Sequence, residues 1–314
     1  MEAHCVAVAE TLISAQADPN DGESLYHACE QNNLGLLDVL AKGGLKPDDI
    51  SYCRKHAMDY RWDEGIRWFL AQGADPNAVH PSASETSLHW AVKRGCSVEI
   101  ISDLLKAGAD PSAKTTTGQS AFLGIVGYTP LDFALRLGRS DVASVLAAHG
   151  TIESNFSDYD KFVIGVANGR EQGRLSDVEV FVEALTENDK TLVSHVAQLR
   201  NWDAVPLMVE LGWPVNAVGW MGATPLYWTL CFGETHMVEY LLKHGASMKA
   251  VGGYFKNPLH TVIHCQWGKD GDWEGSLECL LQHEIAIPDG IYPCGHDDYD
   301  VILAHHLGLA GRSL

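Results

Sequence analysis

Apolar residues recur along this chain in two alternating kinds of segment. The first is short and opens on a small polar residue. It reads Thr86-Ser87-Leu88-His89-Trp90-Ala91, then Thr129-Pro130-Leu131-Asp132-Phe133-Ala134, then Thr224-Pro225-Leu226-Tyr227-Trp228-Thr229 and Asn257-Pro258-Leu259-His260-Thr261-Val262, with a weaker copy at Glu23-Ser24-Leu25-Tyr26-His27-Ala28. The second is an amphipathic stretch closed by a Gly turn. Phe69-Leu70 precedes Gly73-Ala74-Asp75-Pro76-Asn77, Leu104-Leu105 precedes Gly108-Ala109-Asp110-Pro111, Met208-Val209 precedes Gly212-Trp213-Pro214-Val215-Asn216, and Leu241-Leu242 precedes Gly245-Ala246-Ser247. Both kinds read as helices. Thr or Asn at the first position can cap free backbone N–H groups. Pro beside it fits the first helical turn, where its missing N–H costs nothing. Gly after the second helix accepts the left-handed geometry that ends it, and Asp-Pro or Asn sets the turn that follows.

Leu226 and Leu259 lie 33 residues apart, and the two phrases keep the same order and phase along the chain. On these residues the sequence resembles the ankyrin-repeat family over nearly its whole length. The resemblance implies an all-α solenoid of stacked helix-turn-helix units joined by turn or hairpin loops, with atypical terminal caps. No single unit can bury its own apolar face, so stacking supplies the core.

The repeat phase lays out one array over 1–314, with eight units between two caps. Residues 1–20 read as an N-terminal half-repeat. Units follow at 21–47, 48–77, 78–111 and 112–150. Segment 151–187 is irregular, with helices expected at Phe162 to Ala167 and Val178 to Leu185; it reads either as an expanded repeat or as a boundary between two half-stacks. Units at 188–216, 217–250 and 251–287 resume the phase. The tail, 288–314, reads as a worn C-terminal cap with a helix at Val301 to Leu307. The unit at 48–77 lacks the Thr-Pro phrase but keeps an apolar helix at Ile66 to Leu70.

Composition narrows the function classes. Hydrophobic residues at 46% and charged ones at 20% exclude a disordered chain. A net charge of −19 argues against nucleic acid, which needs clustered Lys and Arg, and favours a basic or neutral protein partner. The eight cysteines form no close CxxC pair and suit free thiols in a reducing cytoplasm. Residues 1–9 lack a basic leader segment, and no apolar run approaches the roughly 20 residues that span a bilayer. The expectation is a cytoplasmic chain, monomeric in isolation, that engages neither membrane nor nucleic acid.

The family resemblance implies a concave binding surface made by turn tips and by the exposed ends of the first helices. Projected by distance from the phrase, that surface takes Trp220, Met221 and Phe232 from unit 217–250, and Tyr254, Lys256 and His264 from unit 251–287. It takes Tyr128 and Arg136 from unit 112–150, and Lys93, Arg94 and the tip residue Glu85 from unit 78–111. Trp220, Met221, Phe232 and Tyr254 are expected to form one apolar cluster, the composition of an interface centre. Trp68 and Trp90 are expected in the core.

Candidate chemistry is thin. His260 and His264 have i, i+4 spacing, but no Glu stands between them in the HExxH manner, and His260 occupies the phrase position of His89, where a structural His is expected. Cys294, His296, Asp297 and Asp298, with His305 and His306 downstream, match no zinc spacing. No phosphate loop, nucleophile elbow or kinase signature occurs. No metal, cofactor or catalytic residue is therefore expected. The leading expectation is a non-enzymatic protein-interaction scaffold that binds a partner on its concave face. The alternatives are an inhibitor or immunity-type protein sequestering a basic toxin or nuclease, a metal-binding or catalytic protein using the C-terminal His, Cys and Asp residues, and the recognition half of a larger complex whose enzyme is separate.

Overall fold

The computed structural model describes residues 2–79, 85–116, 126–151, 154–170, 175–249, 252–255, 257–268 and 270–309. These residues form helices and turns, with no strand among them. The chain divides into two compact units, residues 1–157 and 158–314. The division falls inside the irregular segment 151–187.

In the first unit, α1 (Glu2–Ser14) stands alone as half a pair and packs on α3. Four helix pairs follow: α2 (Ser24–Glu30) with α3 (Leu34–Lys42), α4 (Pro47–Asp59) with α5 (Asp63–Ala71), α6 (Ser87–Arg94) with α7 (Val98–Lys106), and α8 (Pro130–Arg136) with α9 (Ser140–Ala148). First helices pack in the order α2, α4, α6, α8, and second helices in the order α3, α5, α7, α9. The second unit holds α10 (Asp158–Ala167), α11 (Leu175–Glu183), the single turn α12 (Glu187–Lys190), α13 (Leu192–Gln198) with α14 (Ala204–Leu211), α15 (Pro225–Phe232) with α16 (Thr235–Lys243), α17 (Pro258–His264) with α18 (Trp273–Gln282), and α19 (Asp297–His306). Here α13, α15 and α17 pack in series, as do α16, α18 and α19, while α10 and α11 lie against α14. Within each unit this is the expected stack of helix pairs. The last helix starts a turn earlier than the apolar pattern placed it.

The first helices are mostly seven or eight residues long, well short of the roughly 12–15 that hold a helix in water. They persist because neighbours cover them. All eight residues of α15 and all seven of α13 are buried, the polar Ser194, His195 and Gln198 of α13 included. The second helices bury one stripe only: Ile100, Ile101 and Leu104 on α7, and Met237, Val238 and Leu241 on α16.

Two polar devices repeat between neighbouring pairs. The turn Asn donates from Nδ2 to one carbonyl of the next turn and accepts from an amide two residues further on. Asn20 does this with Gly44 (2.9 Å) and Lys46 (2.8 Å), Asn77 with Gly108 (2.9 Å) and Asp110 (2.7 Å), and Asn216 with Gly245 (3.1 Å) and Ser247 (2.7 Å). Side chains at the fourth phrase position do the same on the first-helix side. His89 donates from Nε2 to the Tyr128 carbonyl (3.0 Å), Asp132 accepts from the Ser154 amide (2.9 Å), and the Tyr227 hydroxyl accepts from the Tyr254 amide (3.3 Å). The last contact brings the backbone of Gly253, at φ +70°, against the Tyr227 ring; a Cβ there would sit 2.2 Å from the ring. Glycine alone fits both that space and that φ.

Candidate functional site

The first helices present two chemically different surfaces. In the first unit α4 and α6 carry a buried network of charge. Lys93 pairs with Glu85, whose backbone carbonyl also accepts from Lys55 (3.3 Å). Arg94 donates to Asp59 (2.6 Å), which also accepts from the Trp90 indole N–H (3.0 Å). Lys93 stands 3.8 Å from the centre of the Trp90 ring, a cation–π contact. Burial pushes the Lys93 ammonium down to about 8 against the pull of Glu85. Burial also works against the Asp59 carboxylate, but hydrogen bonds from His56 and the Arg94 guanidinium hold it below its usual range.

In the second unit the corresponding face is aromatic. Trp220 stacks on Trp228 at 6.0 Å and 7°. Trp228 meets Trp267 at 5.6 Å, Trp267 meets Phe232 at 6.3 Å, and Phe232 meets Trp202 at 6.3 Å, with the Arg200 guanidinium 5.2 Å above the Phe232 ring. Trp228 is fully buried and donates to the Ser194 hydroxyl (3.2 Å). Trp202, Trp220 and Trp267 are half-buried, so the cluster keeps an apolar edge toward solvent.

The expected interface residues fall into three groups. Trp220 and Met221 are half-buried, while Tyr254 and His264 are exposed, Tyr254 by 57%. Tyr128 is half-buried against Phe156. Lys93 (2% exposed), Arg94 (5%), Arg136 (2%) and Phe232 (4%) are not at the surface, and this corrects their projection onto it. Glu85, also projected outward, is fully buried as the partner of Lys93. The physical reason is shared: neighbouring first helices lie close enough to cover the ends of each other's last turns, and the long side chains there turn inward to counter-charges and rings. Lys256 lies outside the described residues. Of the four residues expected in one apolar cluster, Trp220 and Phe232 are linked through the rings of Trp228 and Trp267.

Trp202 and Trp267 are the members that the repeat phase does not single out. Trp202 and Trp267 sit in loops after α13 and α17, outside the repeated phrases. Trp68 and Trp90, expected in the core, are half-buried and donate to Asp38 (2.7 Å) and Asp59 (3.0 Å). Thr186 caps the single turn α12 through the Asp189 amide (3.1 Å), a helix start that the sequence reading passes over.

The metal candidates do not gather. Among the described residues no three His, Cys, Asp or Glu side chains lie close enough together to hold an ion. The His260 ring meets those of Phe255 (6.4 Å) and His264 (6.0 Å), which also meet each other at 5.7 Å. In the C-terminal loop Asp300, not Asp297 or Asp298, is the organising residue: its carboxylate accepts from the Cys294 (2.7 Å) and Gly295 (3.1 Å) amides and closes the turn before α19.

Family comparison agrees with this geometry. The model for three ankyrin-repeat copies matches residues 55–158, and the single-repeat model matches 221–252. The chain is an ankyrin-repeat protein. Ankyrin repeats imply a protein partner. This ankyrin array is also 23% identical over 290 residues to Palmitoyltransferase AKR1 of Lachancea kluyveri, a match that covers 89% of the chain and 34% of that protein. The chain thus spans about a third of the length of the curated relative.

That relative is an enzyme, and the finding overturns the expectation of a non-enzymatic scaffold. The repeat signal reports only how helices stack, and a stack carries many functions; the missing catalytic motifs do not make the protein non-catalytic. Among the described residues no helix is long and apolar enough to cross a membrane.

Proposed function

We propose that this ankyrin array is the protein-recognition part of a palmitoyltransferase system: it holds a protein whose cysteine thiol receives a fatty acyl chain. The observation that carries the reading is the match to Palmitoyltransferase AKR1 over 89% of the chain. Recognition rests on the aromatic edge of the second unit, with Trp202, Trp220 and Trp267 half-buried beside the exposed Tyr254. Half-exposed Trp and Tyr supply large contact area at little entropic cost, which is why they anchor protein interfaces. The net charge of −19 favours a basic or neutral partner. Free thiols throughout the chain suit a reducing compartment such as the cytoplasm.

The experiment places a photo-crosslinking amino acid at Tyr254, a site that does not support the core, and identifies the proteins captured in cells. Their S-acylation is then measured by thioester exchange with the chain intact, deleted, or carrying Trp220→Ala with Trp267→Ala. Captured proteins should lose acylation in the deletion and in the double variant. Captured proteins whose acylation is unchanged in both would remove palmitoyl transfer from the function of this chain.

A further inference from the structure

Beside the aromatic cluster two cysteines of adjacent repeats meet. Cys231 lies in the last turn of α15, and Cys265 is the residue that ends α17. Their sulfurs are 2.8 Å apart, closer than two unbonded sulfurs ordinarily rest. The approach is set by backbone and by packing. The Trp267 amide donates to the Cys231 carbonyl at 2.8 Å, which holds the loop after α17 against the end of α15. Tyr227, one turn before Cys231 on the same helix, places its hydroxyl 3.6 Å from the Cys265 sulfur. Cys265 has left the helical conformation, with φ −109° and ψ 73°, so it is free of the constraint that α15 puts on Cys231.

We infer that Cys231 and Cys265 form a reversible thiol–disulfide site, oxidised by hydrogen peroxide, that ties two neighbouring ankyrin repeats together. The inference stands apart from the proposed function and does not depend on it. Closing the bond asks each sulfur to move by a few tenths of an ångström, to the S–S length of about 2.05 Å.

The two sulfurs have different parts. The Cys231 thiol, first, and the Tyr227 hydroxyl donate toward Cys265 and favour its thiolate, against the effect of burial. Burial, first, and the adjacent Cys265 hold Cys231 as the thiol. The Cys265 thiolate attacks the peroxide, forms an S–O bond as the O–O bond breaks, and releases one water once the departing oxygen takes a proton. Cys231 then attacks the resulting sulfenic sulfur, forms the S–S bond and expels the second water. Two thiols and one peroxide become one disulfide and two waters. A thiol reductant reverses the step by exchange. The closed bond would fix Trp267, two residues past Cys265, beside Trp228.

The test treats the full native chain with hydrogen peroxide near neutral pH, then unfolds it in urea with an alkylating agent present and maps it by mass spectrometry without reduction. The expected product is a linked peptide pair joining Cys231 to Cys265, two fewer alkylated cysteines, and a melting temperature that rises on oxidation and falls back with dithiothreitol. In Cys231→Ser, shown folded by circular dichroism, Cys265 should persist as a sulfenic acid that dimedone traps; in Cys265→Ser neither product should form. Full alkylation of both residues after peroxide, or linkage of either to a different cysteine, would overturn the inference. The mapping of the unmutated chain stands even where a variant fails to fold.

Discussion

The two units bury their first helices by opposite means. In the first, α4 and α6 fill the space between repeats with charge: Lys93 with Glu85, and Arg94 with Asp59 beneath the Trp90 ring. In the second, α15 buries all eight of its residues and is flanked by Trp202, Trp220 and Trp267. The same stacking geometry therefore accepts two chemistries. Rings leave an apolar edge at the surface, whereas paired charges close on each other. The second unit thereby presents the aromatic edge on which the proposed function rests. The first is the one whose stability should depend on protonation.

Cutting one member from each surface gives the largest effects. Lys93→Ala strands the Glu85 carboxylate in the interior and should cost about 3–5 kcal/mol in urea denaturation. Lys93→Met combined with Glu85→Leu should come out near neutral, because both charges leave together. If the double variant is as unstable as the single one, the charge pair is not what fills that space. Trp228→Ala should cost about 3–5 kcal/mol through the cavity it leaves. It should also quench the stacking of Trp220, visible as a change in near-ultraviolet circular dichroism.

Protonation separates the units next. Burial pushes the His89 imidazole down to about 4, and the geometry agrees with a neutral ring: Nδ1 accepts from Thr86 (2.9 Å) while Nε2–H donates to the Tyr128 carbonyl (3.0 Å). The unfolded chain takes up this proton near 6.5 and the folded one only near 4. The stability that His89 confers is thus present above pH 6.5 and falls as pH drops through that window, by about 1.4 kcal/mol per unit. His89→Asn should flatten that stretch of the pH profile. An unchanged slope would mean that another group carries it. The smallest effect concerns a device common to both units. Asn77→Ala and Asn216→Ala each remove two exposed hydrogen bonds between turns and should each cost about 1 kcal/mol. A marked inequality would show that the turns do not contribute alike.

Much of the fold was legible in the sequence because each repeat states its own helix starts and stops. Thr129, Thr224 and Asn257 cap where the phrase places them. Gly95, Gly212 and Gly233 end helices in the left-handed region. The candidate site was read less well. Distance from the phrase put Lys93, Arg94, Arg136 and Phe232 outside, and the structure buries them. Trp202 and Trp267 went unread because they belong to loops with no counterpart in other repeats. Nothing in the repeated phrases pointed to an enzyme, since they report only how helices stack.

What this sequence determined by itself is local: which residues start helices, which end them, and the spacing at which the pattern returns. Such information survives in a linear chain because capping, left-handed turns and amphipathic stripes act over a few residues. Only the tertiary structure decided which side chains face water, which charges find partners, and that the sulfurs of Cys231 and Cys265 meet 2.8 Å apart across two repeats. Those outcomes depend on how closely one helix pair settles on the next, and a contact between residues some thirty positions apart is fixed by that packing, not by either residue's neighbours in the chain.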